Sequence, residues 1–359
     1  MTLREIMEAS QYSLPQREKE AALLDPLNEL TRRHGEACPE YERLLSVLYR
    51  GRSRATCLEE VPYVPVGLFK THALRSIPAE RVFKTLTSSG TTGQAVSRIF
   101  LDQETASLQS VALSRIMMHA LGGNRLPMLI ADTDTLIKNR ETFSARGAGV
   151  LGMMTFGRNH LYVLDSEMGL KLDELQSFLK RFGDAPFLIF GFTFMVWAHF
   201  YQRIRLLGLD LSQGILIHSG GWKNLQESAV GNAEFKAHFR RDTGLERIYN
   251  FYGMAEQVGS VFLEGEDGLL YPPNFADILI RDPETLEVVP TGTPGLIEVL
   301  SLLPLSYPGH AILTEDLGVV EHIDAGSCGR CGKAFRVLGR LPKAELRGCA
   351  DTHAKELAQ

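Results

Sequence analysis

Residues able to do chemistry gather first in the stretch Lys84-Thr85-Leu86-Thr87-Ser88-Ser89-Gly90-Thr91-Thr92-Gly93-Gln94. It has little bulk, several hydroxyls and exposed backbone N–H groups, a composition that suits phosphate oxygens. Glycine permits the turns that aim successive N–H groups at one anion, and Ser and Thr add O–H donors. The stretch differs from the P-loop of kinases and GTPases, because no Gly-Lys-Ser/Thr follows it. Its flanks, residues 82–86 and 96–101, both read as strands. A Ser/Thr/Gly run alone equally describes a polar hairpin turn, so its meaning depends on what lies downstream.

Several elements must position such a loop. Residues 15–49 carry apolar positions at helical spacing among charges and read as two amphipathic helices broken near residues 35–39, a packing layer. Residues 60–70 form a proline-punctuated extended connector. From residue 101 to about 244, helical stretches at 103–121, 169–182, 193–207 and 224–243 are separated by apolar runs at 127–131, 161–164, 187–190 and 214–218. Short buried strands alternating with helices imply a parallel or mixed sheet with helices on its faces. Ligands of such sheets bind beyond the carboxyl ends of the strands. That rule picks out the turns at 132–134, 190–193 and 218–223, each of which follows an apolar run. After a strand at 247–251, helical period disappears, and residues 258–335 alternate short strands with Gly/Pro/Asp turns, which suggests a β-rich subdomain.

The chain has 359 residues, 44% hydrophobic and 23% charged, enough to bury a large core. A net charge of −5 gives no electrostatic reason to expect nucleic acid or an acidic membrane surface. No apolar run is long enough to span a bilayer, and the first residues lack a signal-peptide layout. Five irregularly spaced cysteines favour free thiols, and the expected location is the cytoplasm. Cys328 and Cys331 form a lone Cys-x-x-Cys. Zinc needs four ligands and only His322 and Cys349 remain nearby, so a glycine-rich β-turn is the stronger reading.

Four elements in order carry a resemblance: the Ser-Ser-Gly-Thr-Thr-Gly loop, Tyr252-Gly253-Met254-Ala255-Glu256, Thr314-Glu315-Asp316-Leu317-Gly318, and Gly339-Arg340 followed by Arg347-Gly348. Together they resemble the adenylate-forming superfamily of acyl-CoA synthetases, luciferases and aryl-acid ligases. More narrowly, Phe69-Lys70-Thr71-His72, residues 85–94, His218-Ser219-Gly220-Gly221-Trp222-Lys223 and Leu346-Arg347-Gly348-Cys349 resemble the acyl-protein synthetase of the fatty-acid reductase complex of bioluminescent bacteria. The resemblance implies an α/β fold of the adenylate-forming N-terminal-domain type, with helices packed on mixed or parallel sheets, a smaller β-rich subdomain, and no mobile C-terminal domain. The corresponding division is a helical region and connector at 1–75, an α/β adenylating core at 76–257, the β-rich subdomain at 258–340 and a tail at 341–359.

The resemblance also implies chemistry. A carboxylic acid, a fatty acid as the family resemblance implies, would attack the α-phosphorus of ATP to give an acyl-adenylate and pyrophosphate. Thr87, Ser88, Ser89, Gly90, Thr91, Thr92 and Gly93 would hold the β- and γ-phosphates as preorganised donors. Glu256 would help hold Mg2+, a hard cation suited to a carboxylate. Asp316 would accept from the ribose hydroxyls, Tyr252 and Gly253 would border adenine, Arg340 would lie near the nucleotide, and Ser219, Gly220 and Gly221 would let the backbone approach it. Cys349, with Arg347 or His353 to lower its pKa, would take the acyl group and pass it to a partner reductase or carrier.

Two departures stand out: Gln94-Ala95 replaces the usual Pro-Lys after the loop, and the usual C-terminal-domain lysine has no match, Lys343 and Lys355 being the late candidates. Two other functions are compatible with these residues: a ligase passing the acyl group directly to coenzyme A or a carrier thiol, and a non-catalytic nucleotide-binding scaffold. Phe190, Phe192, Phe194, Met195 and Trp197 either line an apolar acyl tunnel or start a buried helix.

Overall fold

The computed structural model describes residues 1–52, 54–88, 96–138, 145–221 and 230–341. Its strands are β1 (Val64–Pro65), β2 (Lys84–Thr87), β3 (Arg98–Leu101), β4 (Leu126–Thr133), β5 (Gly157–Leu164), β6 (Phe187–Phe192), β7 (Gly214–Ser219), β8 (Arg247–Tyr252), β9 (Phe262–Glu264), β10 (Leu270–Tyr271), β11 (Ala276–Arg281), β12 (Gly295–Ser301), β13 (Ala311–Ile323) and β14 (Lys333–Arg340). All but β2 and β3 join one sheet in the order β11-β12-β13-β14-β10-β9-β8-β7-β6-β4-β5, with β1 added to β13. The run β8-β7-β6-β4-β5 is parallel, whereas β8 meets β9 antiparallel and the rest of the path stays antiparallel.

The parallel half follows from its sequence. β4, β6 and β7 are apolar and buried nearly throughout, as strands covered on both faces must be. Successive residues point to opposite faces, so Met128, Ile130, Phe190 and Ile217 join one core with Ile116, Met117, Val150 and Met153, while Leu129, Ile189 and Leu216 join another with Phe178, Phe200, Phe235 and Phe239. Helix Gln103–Leu121 starts where Asp102 Oδ1 accepts from the Thr105 N–H at 2.8 Å. Helix Asn232–Thr243 stops at Gly244, whose φ of +70° glycine tolerates without strain.

The antiparallel half is covered by the first helices. Gln16–Ala37 and Pro39–Leu48 break at Cys38, where Pro39 takes the first helical position. Leu23, Leu27, Leu30 and Tyr41 from them pack into the same core as Ile278, Ile297, Val299 and Ile312. The connector at 60–70 is more than a link, because Val64 and Pro65 pair in parallel with Ile312 and Leu313. Among the described residues the helices Leu3–Glu8, Leu68–Thr71, Thr135–Lys138 and Ala145–Met154 escape the sequence reading. The expected helix at 193–207 begins at Thr193 and ends at Ile204, with a π-helical segment at Val196–Tyr201. Among the described residues no helix is long and apolar enough to cross a membrane.

Candidate active site

β2 and β3 pair antiparallel from Lys84↔Leu101 to Thr87↔Arg98, as their flanking positions predict. Beyond them the Ser88 N–H donates to Ser97 O at 3.2 Å, and Ser88 Oγ accepts from the Ser97 N–H at 3.0 Å. Thr87 and Ser88 therefore stand at the mouth of a hairpin. Ser89, Gly90, Thr91, Thr92 and Gly93, next in the sequence, lie outside the described residues. The hairpin is fixed at its base, where the Ser306 hydroxyl donates to Phe100 O at 2.8 Å.

Three residues distant in sequence meet where the ends of β8 and β14 reach the middle of β13. Asp316 and Arg340 are backbone partners. The Tyr252 hydroxyl donates to Asp316 Oδ2 at 2.8 Å, and Arg340 Nε lies 3.5 Å from Oδ1. Each carboxylate oxygen thus has one protein partner and keeps lone pairs for a ligand's hydroxyls. Burial, and then the adjacent Asp316 carboxylate, push the Tyr252 phenol well above its ordinary pKa, so it remains an O–H donor. Its ring leans on Phe262 and meets Phe335 edge-on, with centroids 5.9 and 6.3 Å away.

Next to this group the backbone is shaped for close approach. The Ser219 hydroxyl donates to Phe251 O at 2.8 Å and ties the ends of β7 and β8 together. Gly220 follows with φ of +86°, a conformation that favours glycine, and around Gly221 an added Cβ would meet nothing within 4 Å. Gly253 is exposed and leads into the short turn Ala255–Gln257 that carries Glu256. That turn is pinned from beneath: the Tyr307 hydroxyl donates to Glu256 O at 2.9 Å, and Gln257 Nε2 donates to Gly309 O at 2.9 Å. Ser219, Gly220, Tyr252 and Gly253 therefore lie at the carboxyl ends of β7 and β8, Asp316 and Arg340 join them through Tyr252, and Glu256 sits on the turn that follows.

The sequence model of the family described as acyl-protein synthetase, LuxE, matches residues 4–358. The chain belongs to the acyl-protein synthetase family. It is 24% identical over 302 residues to a long-chain-fatty-acid–luciferin-component ligase of Aliivibrio fischeri, covering 82% of this chain and 78% of that one. A ligase of the same description from Vibrio harveyi is 26% identical over 138 residues, 38% of this chain and 35% of its own. Among solved structures, a 2-hydroxyisobutyryl-CoA ligase in complex with 2-HIB-AMP and CoA is similar with a TM-score of 0.66 at 19% identity, over 91% of this chain and 71% of that one. ATP-bound MatB from Rhodopseudomonas palustris matches with a TM-score of 0.50 at 17% identity, over 74% of this chain and 49% of its own. The fold is that of the adenylate-forming ligases, and the acyl-protein synthetase family places the chain among AMP-forming ligases.

Cys349, Arg347, His353, Lys343, Lys355, Trp222 and Lys223 lie outside the described residues. Cys328 and Cys331 are free and half-buried, and among the described residues no group of three or more His, Cys, Asp or Glu could hold a metal ion. Of the two readings of Phe190, Phe192, Phe194, Met195 and Trp197, a tunnel lining or a buried helix start, the second fits the inner residues. Phe190, Met195 and Trp197 are buried core, Trp197 stacking on Tyr201 at 4.7 Å, because the chain turns straight from β6 into a helix. Phe192 stays half-buried at the strand end.

The structure also shows groups that the sequence did not reveal. At the end of β4, Arg146 Nη2 donates to the buried Asp132 Oδ1 at 3.0 Å, and burial raises the pKa of that acid. The turn at 132–134 was legible as a strand end, but nothing in the sequence pointed to Arg146. His218, already part of a sequence motif, is buried with its Nδ1 2.9 Å from Thr193 Oγ1, a contact across 25 residues that locks the end of β7 to the start of the helix that follows β6.

Proposed function

We propose that the protein activates a carboxylic acid with ATP and transfers the acyl group to its own Cys349, from which a partner reductase or carrier takes it. A carboxylate oxygen attacks the α-phosphorus, the bond to the β-phosphate oxygen breaks, and pyrophosphate leaves. The Cys349 thiolate then attacks the acyl carbon, the carbon–oxygen bond to phosphate breaks, and AMP leaves. The observation that carries this reading is the contact of Tyr252 with Asp316, and of Asp316 with Arg340, at the carboxyl ends of the parallel strands β7 and β8, where ligands of such sheets bind and where the antiparallel half joins them.

In this reading Asp316 accepts from the ribose hydroxyls while Tyr252 and Arg340 hold its two oxygens apart. The Gly220-Gly221 and Gly253 backbone borders the nucleotide, and the hairpin bearing Thr87, Ser88, Ser89, Gly90, Thr91, Thr92 and Gly93 reaches the terminal phosphates. Magnesium ordinarily takes one or two carboxylates plus substrate phosphates, and the donor set here, one buried Glu256 on a pinned turn, fits that habit. The ion would neutralise charge that builds on the pyrophosphate. A fatty acid is the favoured substrate, since the family relatives are described as long-chain-fatty-acid ligases. The composition and free thiols suit a cytoplasmic enzyme.

The test is intact mass after incubation with Mg2+, ATP and a panel of fatty and aryl acids, with Cys349→Ser alongside. The expected result is an ATP-dependent gain of one acyl group that neutral hydroxylamine removes and the variant lacks. Pyrophosphate exchange without any adduct would instead indicate an external thiol acceptor. Absence of both with every acid would overturn the ligase reading.

A further inference from the structure

We infer that the Phe192 ring sets how deeply the acyl group enters the fold, and so which chain lengths are activated; the inference rests on the ligase reading above. Phe192 ends β6 in register with Ser219 of β7, and Ser219 in turn pairs with Phe251, next to Tyr252 on β8. Neighbouring strands lie about 4.8 Å apart, so the ring stands on the order of 10 Å from the tyrosine that holds Asp316. With ribose at β8 and β13, the rest of that carboxyl edge consists of the ends of β7, β6, β4 and, outermost, β5. At β7 stand Ser219 and two glycines, and at β4 the Asp132–Arg146 pair puts charge on the edge. Phe192 is the half-buried apolar side chain between them.

The ring's surroundings are built to its size. One end of it lies 3.2 Å from where a Cβ of Gly149 would stand, on helix Ala145–Met154, and the other lies 3.2 Å from the equivalent point at Gly220. Two glycines from separate segments thus leave room for one phenyl group. Beneath it the layer is packed. Phe190 meets the ring edge-on at 6.0 Å, and Ile130, Val150 and Met153 are all buried. While Phe192 keeps this position, an alkyl chain arriving from the sheet edge meets the ring as a floor. Removing it opens a slot towards the core between the sheet and helix Ala145–Met154.

The experiment measures acyl-hydroxamate formation, in ATP and hydroxylamine, with straight-chain acids from butyric to palmitic for the parent protein, Phe192→Ala, Phe192→Leu and Phe192→Trp. The ratio of kcat/KM for long over short acids should rise about tenfold or more in the alanine variant, because each methylene accommodated in an apolar slot is worth about that much. It should rise less with leucine and fall with tryptophan. If alanine prevents folding, the leucine and tryptophan variants still decide the question by moving the ratio in opposite directions. An unchanged ratio in the folded variants, with all acids slowed alike, would overturn the inference while leaving the ligase reading intact. A parent protein that activates no acid overturns the ligase reading itself, and the inference with it.

Discussion

Tyr252 offers two surfaces at once, a hydroxyl given to Asp316 and a ring between Phe262 and Phe335. In Tyr252→Phe the ring survives and the bond does not, which leaves Arg340 alone to orient the carboxylate. A hydrogen bond to a charged group is worth about 1.5–3 kcal/mol, so the KM for ATP should rise by about tenfold or more while kcat at saturating ATP moves less. Discrimination against 2′-deoxy-ATP should also weaken. Pyrophosphate exchange with both nucleotides checks this; an unchanged preference would detach Tyr252 from the ribose. At this scale the sequence was informative where a motif fixed a residue's neighbours along the chain. Tyr252, Asp316 and Arg340 could be named, but the hydrogen bond between the first two, across 64 residues, could not. The Asp132–Arg146 pair had no motif to announce it.

Elements were legible where their period was strong. The apolar runs of β4, β6 and β7 and the helix Gln103–Leu121 stand out because burial on both faces or on one stripe leaves a repeating mark. Ala145–Met154 leaves none: it holds three glycines, which oppose helix formation, and packing of Val150 and Met153 supplies what propensity does not. The first long helix is fixed to the sheet by charge as well as by packing. Buried Asp277 on β11 accepts from Gln16 at 2.6 Å and Lys333 at 3.1 Å and lies 3.7 Å from Lys19 Nζ. The two lysines and the sheltering Gln16 keep this acid's pKa below its ordinary value against the opposing pull of burial. Asp277→Ala leaves the two buried ammonium groups with only the more distant Glu20 and Asp324 as counter-charge and should cost about 3 kcal/mol. Urea denaturation measures it, and a loss below about 1 kcal/mol would mean that the lysines shed their protons or reach water instead.

The whole molecule carries an acid sensitivity in the layer between its first helices and the antiparallel half. His34 Nε2 must donate to Pro304 O at 3.0 Å, since a carbonyl only accepts, and so Nδ1 accepts from the Ser76 hydroxyl at 2.8 Å. His310 stacks on it at 5.3 Å, its Nε2 2.9 Å from Thr31 Oγ1. Burial lowers the pKa of His34 from 6.5 to about 3 and holds that of His310 well below its ordinary value. Between those limits the unfolded chain binds more protons than the folded one. Stability therefore rises with pH across the window and is lost as pH falls below about 6.5, by roughly 1.4 kcal/mol per unit for each histidine. The melting temperature should drop from neutral pH to about pH 5, and less so in His34→Gln; a flat profile would contradict neutral buried rings. None of this was legible in the sequence, where the two histidines lie 276 residues apart. Neither was the continuity of the sheet, because periodicity marks strands but not their partners. That continuity has a weak point. Between β8 and β14 the sheet narrows to β9 and β10, three and two residues long, a waist between two broad halves. Tyr252 belongs to one half and Asp316 to the other, so their hydrogen bond crosses the waist like a stitch over a seam. On the proposed reading, a nucleotide that grips Asp316 while resting on the β7 and β8 turns would draw the same seam closed, and its binding would be a mechanical act that stiffens the molecule where it is narrowest.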